Sequence, residues 1–170
     1  MALFESFLSS SIWRAMKWLP SIILRRFFSK QWLSDSIEID VRPRHTDVEV
    51  LLPENPEATI YLSVQNNSHF KIELDRLLVD FCYTSFIADA SDFRRRLLKP
   101  REKLDLILRT QIGFYGVKNL AFGQKHNPQH AQLFIMAELN SRLGNFRVER
   151  NLTGLNPRIP NAHLLENDST

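Results

Sequence analysis

At 170 residues with 44% apolar side chains, the chain is long enough for one packed domain plus an appended segment, and too apolar for wholesale disorder. Its formal charge of +3 is unevenly spread: residues 1–34 hold Arg14, Lys17, Arg25, Arg26 and Lys30 against Glu5 alone, whereas the other 136 residues carry 17 Lys/Arg and 18 Asp/Glu. A body without basic surplus argues against a nucleic-acid-binding domain, and Cys82 as the single cysteine rules out an intramolecular disulfide, which fits a reducing compartment.

The first 34 residues read as a basic amphipathic leader. Phe4, Leu8, Ile12, Met16, Leu19, Ile23 and Phe27 recur at steps of three and four and trace one helical stripe, with Arg14, Lys17, Ser21 and Arg25 on another. Trp13, Trp18 and Trp32 are the only tryptophans of the protein, and this residue favours the headgroup level of a bilayer. As a span, the segment would place Arg14 and Lys17 near the bilayer centre at a cost of roughly 5–7 kcal/mol, against about 3–5 kcal/mol returned by its Leu, Ile and Phe residues. A cleaved signal peptide is disfavoured because charge interrupts the apolar run. Lying in the interface keeps both charges wet and adds attraction to anionic lipid. Trp13, Trp18, Ile22, Ile23, Phe27 and Phe28 are then the inserting side chains, and Arg14, Lys17, Arg25, Arg26 and Lys30 face phosphate. The alternative is a helix folded back on the domain's own apolar surface. Pro20 should kink or break the helix in either case.

From Ser36 the period changes to two. Ile37, Ile39 and Val41 are followed by Val48, Val50 and Leu52, then Ile60, Leu62 and Val64, and then Leu77, Val79, Phe81 and Tyr83. Leu104, Leu106 and Leu108 come next, then Leu133, Ile135, Ala137 and Leu139, and finally Phe146 and Val148. Turn residues separate these runs at Pro53–Pro56, Asn66–Ser68, Lys99-Pro100 and Leu143–Asn145, and residues 114–122 suggest one short helix. The pattern predicts a mostly β fold, an immunoglobulin/fibronectin-III-like antiparallel β-sandwich of seven or eight strands over residues 35–152. Residues 153–170 read as a flexible polar tail.

No constellation in the chain suggests catalysis, and neither a cofactor nor a metal is expected. His126 and His130 have i,i+4 spacing, but Pro128 between them argues for loop histidines. Cys82 lies mid-strand with Asp80 and Thr84 and reads as a packed thiol. Arg94, Arg95, Arg96, Lys99, Arg101 and Lys103 crowd six cations around Pro100. They read either as a charged edge hairpin blunted against pairing or as a contact for lipid headgroups or an acidic partner. Asn66, Asn151 and Asn167 begin Asn-x-Ser/Thr triplets, relevant only to a secreted chain.

Residues 36–152 resemble the late-embryogenesis-abundant type 2 family, also called the water-stress-and-hypersensitive-response (WHy) domain. The resemblance is carried by the alternating strand Ala58–Gln65, the turn Asn66-Asn67-Ser68, and Phe70 leading into Lys71–Leu77. Asn66 matches the first Asn of the family's Asn-Pro-Asn turn, while Asn67 and Ser68 depart from it. The side chains of this turn can close the chain on itself, a structural role rather than a ligand contact. The resemblance implies a non-enzymatic module, membrane-tethered and linked to stress protection or lipid contact. The basic leader makes an anionic membrane surface the expected partner, Arg25, Arg26 and Lys30 after it favour the cytoplasmic face as the expected place, and no nucleic acid is expected. The other reading is an accessory subunit of a larger assembly, with the leader docked in a partner protein's groove.

Overall fold

Alternation of apolar and polar residues produces two antiparallel sheets whose apolar faces meet. The computed structural model describes residues 20–42, 46–52, 55–126, 130–160 and 162. Among these, nine strands form: β1 Ile37–Val41, β2 Val48–Leu51, β3 Glu57–Asn66, β4 Ile72–Tyr83, β5 Ser85–Asp92, β6 Arg96–Leu98, β7 Lys103–Gln111, β8 Ala131–Ser141 and β9 Gly144–Leu155. In one sheet β3 is central, with β7 along one side and β1 and β2 end to end along the other. In the second, β9 pairs β8 and β8 pairs β4, whose far side holds β5 and β6 end to end. The fold is a β-sandwich, mostly β as the alternation predicts.

The inward residues are those the period of two selects. Ile60, Leu62 and Val64 of β3 face Leu77, Val79 and Phe81 of β4, and all six are fully buried. Burying one such side chain contributes about 1.5–3 kcal/mol, so this shared core dominates the stability. Two strands were not expected. β5 reads Ser-Phe-Ile-Ala-Asp-Ala-Ser-Asp, where small Ala88 and Ala90 take the buried positions and a bulge against Phe81/Cys82 resets the period. β6 is three residues long and continues the same edge, opposite Ile72–Leu74 of β4, while on β4's other side the register with β8 shifts between Leu74 and Arg76.

The end of the chain also differs from expectation. β9 runs to Leu155, and Arg158 then pairs with β2 through two backbone bonds of 2.8 Å, to Val48 and from Val50. The described part of the expected tail is therefore held to the sandwich, because β2 has an open edge there for backbone groups to satisfy.

Two connections cross between the sheets at the same end, β3 to β4 and β6 to β7, and Asn66 closes both. Its Nδ2 donates to the carbonyls of Phe70 (2.8 Å), Lys99 (3.0 Å) and Leu98 (3.3 Å), and its Oδ1 accepts from the amide (3.0 Å) and hydroxyl (2.6 Å) of Ser68. The Asn66 amide donates to Glu102, and Arg101 donates to the Asn66 carbonyl. Asn66 and Ser68 are fully buried, so the structural role expected of this turn is the one it performs, and Asn66 has no room for a glycan. Asn67 ties the turn to the N-terminal part, its amide donating to Ser36 and its Nδ2 to Glu38.

Asn66→Ala should therefore lower unfolding free energy by about 2–4 kcal/mol, because a fully buried amide and the carbonyls and hydroxyl it joins lose their bonds at once. Asn67→Ala, at a half-buried position, should cost about 1 kcal/mol or less. Urea unfolding followed by circular dichroism separates the two; equal losses would show that Asn66 is not the organising residue.

Candidate functional site

A helix, α1 (Ser21–Phe27), starts directly after Pro20, whose carbonyl accepts from the amides of Ile23 and Leu24. The fixed φ of proline suits a helix entrance, so Pro20 opens this helix. Phe28 is extended and ends it, and Ser29 caps the next helix, α2 (Lys30–Asp35), its hydroxyl accepting from the Trp32 amide at 3.0 Å. The break resets the helical phase. As a result, Leu24 and Leu33 reach the core and are fully buried, whereas Ile23 and Phe27, on the predicted apolar stripe, face solvent.

Phe28 and Trp32 do not belong to an exposed membrane face. Their rings pack on one another (5.0 Å between centroids) and on Phe70 (5.2 and 6.2 Å), beside the Asn66 turn. Arg150 fixes α2 to the sandwich by donating to the carbonyls of Ser34 and Ile37. A boundary at residue 34 therefore does not separate leader from fold, since residues from Leu24 onward complete the core. Leu24→Ala should cost about 2–5 kcal/mol of stability, as a buried leucine does. A thermal melt unchanged by that substitution would show α1 to be dispensable to the fold.

What α1 leaves outside is apolar and basic. Ile22 is 79% and Phe27 72% exposed, Ile23 less so, and Arg25, Arg26 and Lys30 lie among them. Arg25, Phe28, Ser29 and Lys30 meet Leu143 and Gly144 of the β8–β9 turn around an open cavity of about 270 Å³. Trp13, Arg14, Lys17 and Trp18 lie outside the described residues.

The six cations near Pro100 do not form one hairpin. β6 pairs β4 and β7 pairs β3, so the turn between them passes from one sheet to the other. Arg95 and Arg96 are turned to carboxylates, Asp75 at 3.5 Å and Asp92 at 2.8 Å, and Arg94 is exposed beside them. Lys99, Arg101 and Lys103 are exposed on the crossing, with no carboxylate among the described residues within ion-pair distance. Asn66 joins the crossing to Phe70, and Phe70 carries Phe28 and Trp32, so this part of the cluster and α1 share one end of the sandwich.

The remaining candidates are dispersed. His126 is the last residue of a helix, α3 (Phe114–His126), and not of a loop; its ring lies 4.5 Å from that of Phe122, and His130 is exposed. Among the described residues no three His, Cys, Asp or Glu side chains converge as a metal site requires. No described helix is long and apolar enough to cross a membrane. Burial, and after it the Asp80 carboxylate, pushes the Cys82 thiol above its ordinary range. Because the thiolate is the reactive form, Cys82 should alkylate at pH 8 more slowly than a free thiol and accelerate in more alkaline solution. Reaction at the rate of glutathione would contradict that placement.

No family model matches the chain, and no curated protein does. Among solved structures, a structural-genomics target determined by X-ray crystallography is 8% identical, with 72% of this chain and 88% of that one covered and a TM-score of 0.48. A Bordetella pertussis protein named ApaA is 11% identical over 72% and 92% of the two chains, with a TM-score of 0.42. An Arabidopsis thaliana protein solved in solution is 15% identical over 72% and 87%, with a TM-score of 0.41. Likenesses this distant convey no activity, ligand or partner.

Proposed function

We propose that the chain is a non-enzymatic, membrane-associated β-sandwich that acts as a binding or stress-protective module of the WHy kind, resting on anionic lipid through α1 and the segment before it. The observation that carries this reading is the outer face of α1, where Ile22, Ile23 and Phe27 stand exposed among Arg25, Arg26 and Lys30 while buried Leu24 fixes the helix from beneath. Apolar side chains at the acyl boundary with cations at phosphate level are the pattern of a helix lying in an interface. Entry of Ile22, Ile23 and Phe27 into that boundary is worth about 3–6 kcal/mol. Each nearby cation adds about 1 kcal/mol at an anionic surface, and Lys99 and Arg101 on the same end supply two more. The cavity flanked by Arg25 and Lys30 offers a seat for one phosphate headgroup.

The test is sedimentation of the full chain with phosphatidylserine-containing vesicles. Ile22→Ser with Phe27→Ser should weaken binding by roughly 10–100-fold without unfolding the domain, because both side chains are exposed. Raising salt from 0.1 M toward 1 M, where the screening length falls from about 10 Å to about 3 Å, should weaken it further. Deletion up to Ser34 is unsuitable, as it removes Leu24 and Leu33 from the core; a chain beginning at Pro20 keeps both. Wild-type binding by the double variant would remove α1 from the attachment. A protein partner retained in detergent by a chain that ignores vesicles would instead assign the face to a subunit's groove.

A further inference from the structure

The strand β4 ends at Tyr83, against which α3 is packed unusually closely. A Cβ at Gly116 would lie 2.3 Å from the Ile87 carbonyl oxygen, and one at Gly123 2.8 Å from the Tyr83 ring, so both positions exclude any side chain. Gly116, Leu120 and Gly123 form the buried face of the helix, and Asn119 pins it by donating to the Phe86 carbonyl at 2.9 Å. The opposite face is fixed outward as a consequence. Phe114 is 69%, Tyr115 80% and Phe122 57% exposed, and at 100° per residue they surround Lys118 and Lys125. The Lys118 ammonium sits 4.5 Å above the Phe114 ring, which keeps a charge at the plane of the aromatics. No Asp or Glu occurs in the sequence between Asp105 and Glu138, so nothing on this helix offsets its cations.

We propose that this face of α3 is a second lipid contact, directed at a different anionic bilayer from the one that α1 engages, so that the chain tethers two membranes. The inference rests on the membrane reading of α1 given above. Rigid aromatic side chains flanking two lysines, without a carboxylate on the helix, complement an anionic interface and not a basic or purely apolar partner. The position of α3, at the other end of the sandwich from α1, suits contact with a second membrane. α1 lies by Phe70 and Leu143, at the Ile72 end of β4, whereas α3 lies against Tyr83 at the other end, about 35–40 Å away for a strand of this length. A bilayer lying across the first pole leaves the second about a strand's length away from it.

The experiment mixes donor-labelled and acceptor-labelled phosphatidylserine-containing vesicles with the full chain, and reads clustering by energy transfer and binding by sedimentation. The wild type should do both. Phe114→Ser with Phe122→Ser should still sediment within about twofold of the wild type yet lose clustering by roughly tenfold or more, its fold checked by an unchanged melt. Ile22→Ser with Phe27→Ser should lose clustering through the other contact. A wild type that sediments without clustering overturns the tether and leaves the α1 reading intact; loss of sedimentation confined to the α3 variant overturns the α1 reading instead. Clustering unaffected by the α3 variant, or a dimer in solution that the same variant dissolves, assigns the face to something other than lipid and overturns the proposal.

Discussion

A sandwich has to carry its chain from one sheet to the other without leaving backbone groups dry and unpaired, and here one amide side chain performs that service for two crossings. The carbonyls of Phe70, Leu98 and Lys99 come from segments about thirty residues apart, and all turn toward the Nδ2 of Asn66. Asn66 is itself fully buried and its amide needs acceptors, so the geometry of this end of the molecule is set by where Asn66 can reach. Phe70 is held by this arrangement, and Phe70 in turn is the platform for Phe28 and Trp32. The helices before the first strand thus take their position from the same network.

This dependence explains why the N-terminal region is divided against itself. Leu24 and Leu33 serve the core, the ring trio of Phe28, Trp32 and Phe70 fills the seam, and Ile22, Ile23 and Phe27 remain outside with the arginines. An apolar residue left exposed on a helix whose neighbours are fully packed is not a consequence of poor folding. With the charges beside it, this patch is what the proposed lipid contact rests on.

Much of the fold is legible in the sequence where a strand has one dry and one wet face. Ile60, Leu62 and Val64, or Leu133, Ile135, Ala137 and Leu139, announce themselves by period alone, because a slip of one residue would turn each of them to water. β5 escapes for the opposite reason: alanines at Ala88 and Ala90 and a bulge at Phe81/Cys82 erase both the contrast and the period. Asn66 reads as a turn-former from its neighbours, but its partners at Leu98 and Lys99 are set by topology, which a linear pattern does not carry. For the site, the cations and apolar residues of α1 are visible in advance. Which of them point outward depends on the break at Phe28, and the convergence of Lys99 and Arg101 with them depends on the crossing. The outward ring of α3 leaves a faint trace in the spacing of Tyr115, Lys118, Phe122 and Lys125, overshadowed by the glycines that look like flexibility and act as contact points.

The interrupted borders of both sheets have a consequence for behaviour at high concentration. On one side β1 and β2, and on the other β5 and β6, share a border that would otherwise be a single long strand. The second is broken between Asp92 and Arg96, and Arg94 and Arg95 stand in that gap. A foreign strand seeking to zip onto the β5–β6 border finds no more than eight consecutive residues and then a pair of guanidinium groups. Interruption therefore acts as a guard against strand addition along that border.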